Sequence, residues 1–122
     1  MSIRVRVSKD IKKSIAVIME NKIFMSHGDA QYYLPLTDRV EKLVELWDDK
    51  KMIGWSCIYK DYHHGQTSCW AYVNPDYRRK GYGTRLVRQA KLKRKNLQVC
   101  METWDGIPRP KFWKTQGKNL LL

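Results

Sequence analysis

Between Thr67 and Lys95 the sequence changes character once. A β-prone run, Thr67 to Val73, gives way to a helix-prone one, Thr84 to Lys95, through Asn74-Pro75-Asp76-Tyr77-Arg78-Arg79-Lys80-Gly81-Tyr82-Gly83. Asn74-Pro75 breaks the strand, because proline donates nothing to a ladder. Leu86, Val87 and Ala90 then form an apolar stripe at helical spacing. A strand feeding a helix through a short loop needs a sheet to join and a sheet face to cover, which restricts the chain to layered α/β architectures. The 122 residues suffice for one such domain, 1–122, with one core.

The rest of the chain supplies the other elements of such a layer. Ile3 to Val7 alternates apolar and basic residues, as a half-buried strand does. Ser8 then suits the N-cap of a helix with Asp10 in its first turn and Ile11, Ile15, Ile18 and Lys22 on one face. From Phe24 to Arg39 no period holds, and a long loop is expected there, of the kind that lines binding sites. Leu43 to Trp47 and Met52 to Tyr59 read as strands flanking the turn Asp48-Asp49-Lys50-Lys51. A second turn around His63-His64-Gly65-Gln66 precedes Thr67. Leu97 to Trp104 reads as a further strand, Lys111 to Gln116 as a short helix closed by Gly117, and Asn119 to Leu122 as a terminal strand. The expected order is β-α-β-β-β-α-β-α-β, a mixed sheet flanked by helices.

The strand-loop-helix junction carries the chemistry. The first N–H groups of a helix have no helical acceptor and lie at the positive end of its dipole, so they suit phosphate. Gly81 and Gly83 let the main chain approach a pyrophosphate that a Cβ would hold off, and Arg78, Arg79 and Lys80 surround it with charge. A Walker loop is absent, and the dinucleotide fingerprint needs a third glycine where Leu86 stands.

Val73, Pro75, Arg78, Gly81, Gly83 and Leu86 match V-x-P-x-x-R-x-x-G-x-G-x-x-L, which resembles the acetyl-CoA signature of GNAT-type N-acetyltransferases. Met52-Ile53-Gly54 is similar to the I-V-G start of that family's third strand, and Phe112 to Gly117 to its F-Y-x-x-x-G segment. The likeness spans about residues 40–118 and is strongest over 71–90. It implies a central mixed β-sheet flanked by helices (α/β, in the α+β sense), truncated at the C-terminus, and transfer of acetyl from acetyl-CoA to an amine on a small molecule or protein. It also implies a cofactor site. Main-chain amides from Arg79 to Thr84, through Lys80, Gly81, Tyr82 and Gly83, would hold the pyrophosphate beside Arg78. Val73 would pair with the pantetheine like an added strand. The acetyl group would sit where strands ending at Val73 and Trp104 splay apart.

Two departures bear on catalysis. Trp113 stands where the family often has a Tyr acid, and an indole N–H has no usable acidity. Tyr72 or Tyr82 would serve only where the fold brings one close. The amine must lose a proton to attack, so a carboxylate base is expected. Glu102, on the strand after the helix, is the preferred residue, and Glu45 is the other strand-borne acid. A solvent-facing strand position is the plain alternative for each. Trp113 also motivates the contrasting expectation of a non-catalytic interaction protein that keeps the fold.

No metal site is expected. Cys57, Cys69 and Cys100 are too widely spaced for a zinc cluster and suit buried thiols, and His63 and His64 suit an exposed turn. Tyr32 and Tyr33 are candidates for acceptor contact. The net charge is +12, and Arg78 to Lys95 holds nine basic residues and no acidic one. A coenzyme uses part of that charge. The remainder, on the helix 84–95, suits a nucleic acid, an acidic protein or plain solvation. The start, MSIRVRVSKD, lacks a signal's apolar stretch, and no run reaches the roughly 20 apolar residues of a membrane helix, so a cytoplasmic location without membrane contact is expected. Few residues follow the F-Y-x-x-x-G-like segment, and a homodimer is expected to cover the sheet edge left open.

Overall fold

The computed structural model describes residues 2–27, 30–32, 36, 38–60, 67–92 and 98–99. Their elements are β1 (Ile3–Val7), α1 (Ile11–Glu20), β2 (Met25–His27), β3 (Ala30–Tyr32), β4 (Val40–Asp48), β5 (Lys51–Lys60), β6 (Thr67–Val73), a 3-10 turn (Pro75–Tyr77), α2 (Tyr82–Lys91) and β7 (Gln98–Val99). One sheet runs in the order β1-β4-β5-β6-β7; its first three pairings are antiparallel, and β6–β7 is parallel. The expected mixed sheet flanked by helices is therefore present.

Both sheet faces are covered, which is why β4 and β5 are near-continuous apolar runs rather than alternating ones. α1 lies on one face, where Ile18 joins Leu43, Met52, Trp55 and Cys57. On the other, α2 sets Leu86, Val87 and Ala90 against Val44, Leu46, Ile53, Cys69 and Val73. Each fully buried Leu or Ile is worth about 1.5–3 kcal/mol, so these contacts dominate the fold's stability. Between Leu46 and Trp47 the β4–β5 register slips by one residue, because Leu46 opposes Gly54 while Trp47 opposes Met52. This bulge lets Met52 and Trp55 face α1 while Ile53 faces α2.

Four local expectations need correction. The N-cap of α1 is Asp10, whose side chain accepts from the Lys13 amide at 3.2 Å; Ser8 instead accepts from the Asp10 amide. A carboxylate two residues later in the chain takes the capping role. Lys22 is not on the helical face. It follows the C-cap with φ 53, and the amides of Lys22 and Ile23 return to Met19 and Ile18 at 3.3 and 2.9 Å. This Schellman ending turns the chain and buries Ile23. The segment from Phe24 to Arg39 is not wholly irregular, since β2 and β3 pair within it; at three residues each, they are too short for a period to show. α2 (Tyr82–Lys91) opens two residues before Thr84, because left-handed Gly81 is its N-cap; Leu92 leaves helical geometry at ψ 126, and residues 93–95 of the expected helix lie outside the described residues.

The strand from Thr67 to Val73 falls where the pattern placed it, and β4 and β5 are longer than expected because the turn shrinks to Asp49-Lys50, with Asp49 at φ 54. Cys57 and Cys69 are buried free thiols; burial pushes Cys57 well up and Cys69 up to about 12. Cys100, His63, His64, Tyr33, the strand beyond Val99, the helix 111–116 and the terminal strand 119–122 lie outside the described residues. Gly54 carries a packing constraint: a Cβ there would lie 2.7 Å from the Tyr72 carbonyl oxygen, a backbone atom of the next strand. Gly54→Ala is expected to destabilise the domain by about 1–3 kcal/mol, read as a lower urea midpoint at unchanged slope.

Candidate functional site

The site begins where β6 ends. The last ladder bond from β6 to β5 is Asn74 N–H to the Ile53 carbonyl, 2.8 Å. With Gly54 opposite Val73, that bond makes Gly54–Val73 a non-hydrogen-bonded pair, so Val73 and, two residues back, Ala71 turn their own N–H and C=O away from β5. On that outer edge β7 meets β6 at Ser68 and Cys69. Among the described residues, the Ala71 groups and the Val73 N–H have no partner there. The Val73 carbonyl has one, since Arg78 donates its Nε–H to it at 2.8 Å.

The loop that follows is built from local bonds. The Asn74 side chain accepts from the Asp76 amide at 3.0 Å, and Pro75 opens the 3-10 turn. The Tyr77 hydroxyl donates to Asp48 Oδ2 at 2.7 Å, tying the turn to the end of β4. Arg79 then takes φ 64 and Gly81 φ 82. Gly81 makes no side-chain cap bond, a Cβ on it would meet nothing within 4 Å, and the first helical return is Arg85 N–H to the Gly81 carbonyl at 3.1 Å. Among the described residues, the opening of α2 thus has no side-chain cap and nothing packed over Gly81, and it is flanked by exposed Arg79 and Lys80. These features fit an anionic phosphate group.

The opposite face of the sheet carries a row of directly opposed residues: Arg6 on β1, Glu45 on β4, Trp55 on β5 and Tyr72 on β6. Glu45 is 3% exposed, which corrects the expectation of a solvent-facing strand acid. Its Oε1 accepts from Arg6 at 2.8 Å and from the Trp47 indole at 3.0 Å, and its Oε2 accepts from Ser14. Because Ser14 spends its proton on the carboxylate, Ser8 must be the donor in the Ser8–Ser14 bond. Burial pushes the Glu45 carboxyl up, but the hydrogen bonds from Ser14, Trp47 and Arg6, with the Arg6 charge, outweigh it, and the net shift is downward. A carboxylate held this way is a poor proton acceptor. A groove of about 370 Å³ between α1 and β1 opens over this network, with Lys9 and Lys13 at its rim and Trp47 in its wall. The pairing of Arg6 with Glu45 was legible only as charge alternation on one strand, because its partner lies 39 residues away.

Of the residues expected at the cofactor site, Val73 and Arg78 to Thr84 are contiguous with the open edge and loop. Tyr72 and Tyr82 lie on opposite sheet faces. Burial pushes the Tyr72 phenol up, although the charge and hydrogen bond of Arg78 pull the other way. Glu102, Trp104 and Trp113 lie outside the described residues, and for Tyr32 only the backbone is described.

A family model for the acetyltransferase (GNAT) domain matches residues 41–117. No curated protein matches the sequence significantly. Among solved structures, the chain is similar to a GNAT-family acetyltransferase of Streptococcus pneumoniae TIGR4, with TM-score 0.61 and 17% identity over 96% of this chain and 87% of that one. It is also similar to an aminoglycoside acetyltransferase from an uncultured soil metagenomic sample, solved with sisomicin (TM-score 0.57, 15% identity, 95% and 88% covered). A third is a ribosomal-protein-alanine N-acetyltransferase of Brucella melitensis biovar Abortus 2308 (TM-score 0.53, 18%, 94% and 90%). At these identities the likeness is one of fold.

Glu45 links this site to stability. Its folded pKa lies below the ordinary value of 4.5, so its contribution is fully present above that value and is lost as pH falls through the lower, folded one. Glu45→Gln, which loses a charged acceptor, is expected to lower stability at pH 7 by about 1–3 kcal/mol. Urea melts from pH 7 to 3 should show a shallower acid loss for the variant. Equal acid sensitivity in both proteins would contradict this account.

Proposed function

The chain belongs to the GNAT acetyltransferase family, and on that premise we propose that it moves an acetyl group from acetyl-CoA to an amine. The observation that carries this reading is the continuity of two features. The left-handed opening of α2 at Gly81 leads back through seven residues to the outer edge of β6, where the Ala71 groups and the Val73 N–H have no partner among the described residues. A coenzyme with a diphosphate at one point and an amide-bearing arm at another suits such a track. When bound, it supplies the thioester that is the acetyl donor.

In this reading the amides from Arg79 to Thr84 take the pyrophosphate, Arg79 and Lys80 add neutralising charge, and the Val73 N–H pairs with the arm. Glu102 is the base that takes the amine's proton, directly or through water. Tyr72 is a proton donor whose phenol burial keeps protonated, which matters because Trp113 has no acidic proton to give. A thiol with a pKa near 8.5 leaves readily enough that the missing tyrosine is no bar to turnover. The relatives' names span aminoglycosides and a ribosomal protein, and an amine on a small molecule or a protein is the acceptor class proposed here. α2 also exposes Arg85 and Arg88 beyond its first turn. A nucleic acid that carries or neighbours the acceptor is the partner this helix suits.

Gly83→Val places a branched side chain in the first turn of α2 and is expected to abolish acetyl-CoA binding in calorimetry while the thermal melt stays cooperative. Wild-type protein with no affinity at millimolar acetyl-CoA would remove the reading. Glu102→Gln is expected to slow acetyl transfer by roughly 10²-fold with coenzyme affinity unchanged. A rate within about threefold of wild type would exclude Glu102 as the base.

A further inference from the structure

Arg78 stands among three consecutive cations of the loop, yet its surroundings differ from those of the other two. All three are exposed, but Arg79 and Lys80 make no bond among the described residues. Arg78 turns back five residues along the chain. Its single Nε–H is spent on the Val73 carbonyl at 2.8 Å, and its guanidinium lies 5.5 Å from the centre of the Tyr72 ring. The carbonyl it takes is one that the β5–β6 pairing directs outward, onto the edge where the coenzyme arm would lie. We propose that Arg78 is a positioning residue that locks the outer edge of β6 to the phosphate loop and so fixes where along the strand the coenzyme arm lies. This rests on the acetyl-CoA reading given above.

The physical reason is the two-part nature of the ligand. The arm carries two amides that pair with a strand edge, and the diphosphate sits on the loop. With the Val73 carbonyl closed, the edge offers the Val73 N–H and both groups of Ala71. A slip by two residues along the edge would carry the thioester about 6.7 Å from its place. The tether between residues 73 and 78 also fixes the spacing of the two half-sites. A ligand that spans both gains from that fixed spacing, and a ligand that touches the loop alone does not.

Side-chain chemistry separates this role from phosphate binding. Glutamine carries its amide nitrogen the same number of bonds from Cα as arginine carries Nε, so Arg78→Gln keeps the donor and loses the charge. Arg78→Lys keeps the charge and loses the donor at that position. Calorimetry would compare wild type, these two variants and Arg78→Ala with two ligands: coenzyme A, and adenosine 3′-phosphate 5′-diphosphate, which lacks the arm. All three variants are expected to bind the fragment within about twofold of wild type. The Gln variant should bind coenzyme A within about threefold, and the Lys and Ala variants at least about fivefold more weakly, as one lost hydrogen bond would give.

Retention of coenzyme A by the Lys variant with loss by the Gln variant would make Arg78 a phosphate ligand and overturn the proposal. So would fragment and coenzyme affinities that fall together. Thermal melts identify any variant that fails to fold, and the Gln–Lys comparison stands without the Ala variant. Wild type that binds the fragment but not coenzyme A overturns the edge role alone. Wild type that binds neither removes the acetyl-CoA reading and this proposal with it.

Discussion

The bond from the Asn74 amide to the Ile53 carbonyl governs the geometry of the candidate site, because it fixes which backbone groups of β6 face inward. It makes Gly54–Val73 a non-hydrogen-bonded pair and turns the Val73 and Ala71 groups to the outer edge, away from β5. The bulge at the start of β5 sets this phase. Without the extra residue between the Leu46 and Trp47 positions, the pairing further along would move by one, and every side chain of the pair would change face. Trp55 would then leave the α1 side, where its indole donates to the Ile23 carbonyl at 2.6 Å. A backbone irregularity in the β4–β5 pairing thus decides which backbone groups of β6 face its outer edge.

The energetic weight lies elsewhere. Packing of α1 and α2 on the two faces supplies most of the stability, and polar bonds select among arrangements of nearly equal burial. The Arg6–Glu45 ion pair illustrates the balance. Arg6 is half exposed, so its attraction to Glu45 is largely screened and adds little. Glu45 is nevertheless buried, and without its donors the desolvation of a carboxylate would cost several kcal/mol. The Arg6, Ser14 and Trp47 bonds offset that cost and, because they come from β1, α1 and β4, they tie three elements at one point.

What was legible in the sequence depended on how local the cause was. The strand Thr67–Val73, its break at Asn74-Pro75 and the glycine-bearing entry to α2 were readable, because proline and a left-handed glycine act within a few residues. The strand pattern at β4 and β5 was readable as apolar runs, but not the bulge, which needs the partner strand. The α1 cap was misplaced from Asp10 to Ser8 because both residues satisfy the same local rule, and only the tertiary bond of Ser8 to Ser14 assigns their roles. For Glu45 a solvent-facing strand position was the plain alternative, because a carboxylate on a strand shows no partner in the sequence. Its burial follows from α1 lying over it. The tether of Arg78 was hidden in the same way: sequence placed it with two phosphate-seeking cations, and only the direction of the Val73 carbonyl separates it from them.

The two halves of the junction divide geometry and charge between main chain and side chains. The amides that open α2 are held in place because Leu86, Val87 and Ala90 anchor the helix to the sheet, so no ordering of the helix is left for a ligand to impose. A ligand that meets preformed donors avoids the roughly 0.5–1.5 kcal/mol lost for each long side chain it would otherwise immobilise. Arg79 and Lys80 remain exposed on flexible stems. As point charges they tolerate imprecise placement, since Coulomb attraction near a surface varies slowly with distance, whereas a hydrogen bond weakens steeply with angle. Arg78 differs from both because its donor is committed to a fixed backbone atom. On the roles proposed here, a substitution that preserves charge is therefore expected to be mild at positions 79 and 80 and severe at 78, although the three residues are adjacent and all cationic.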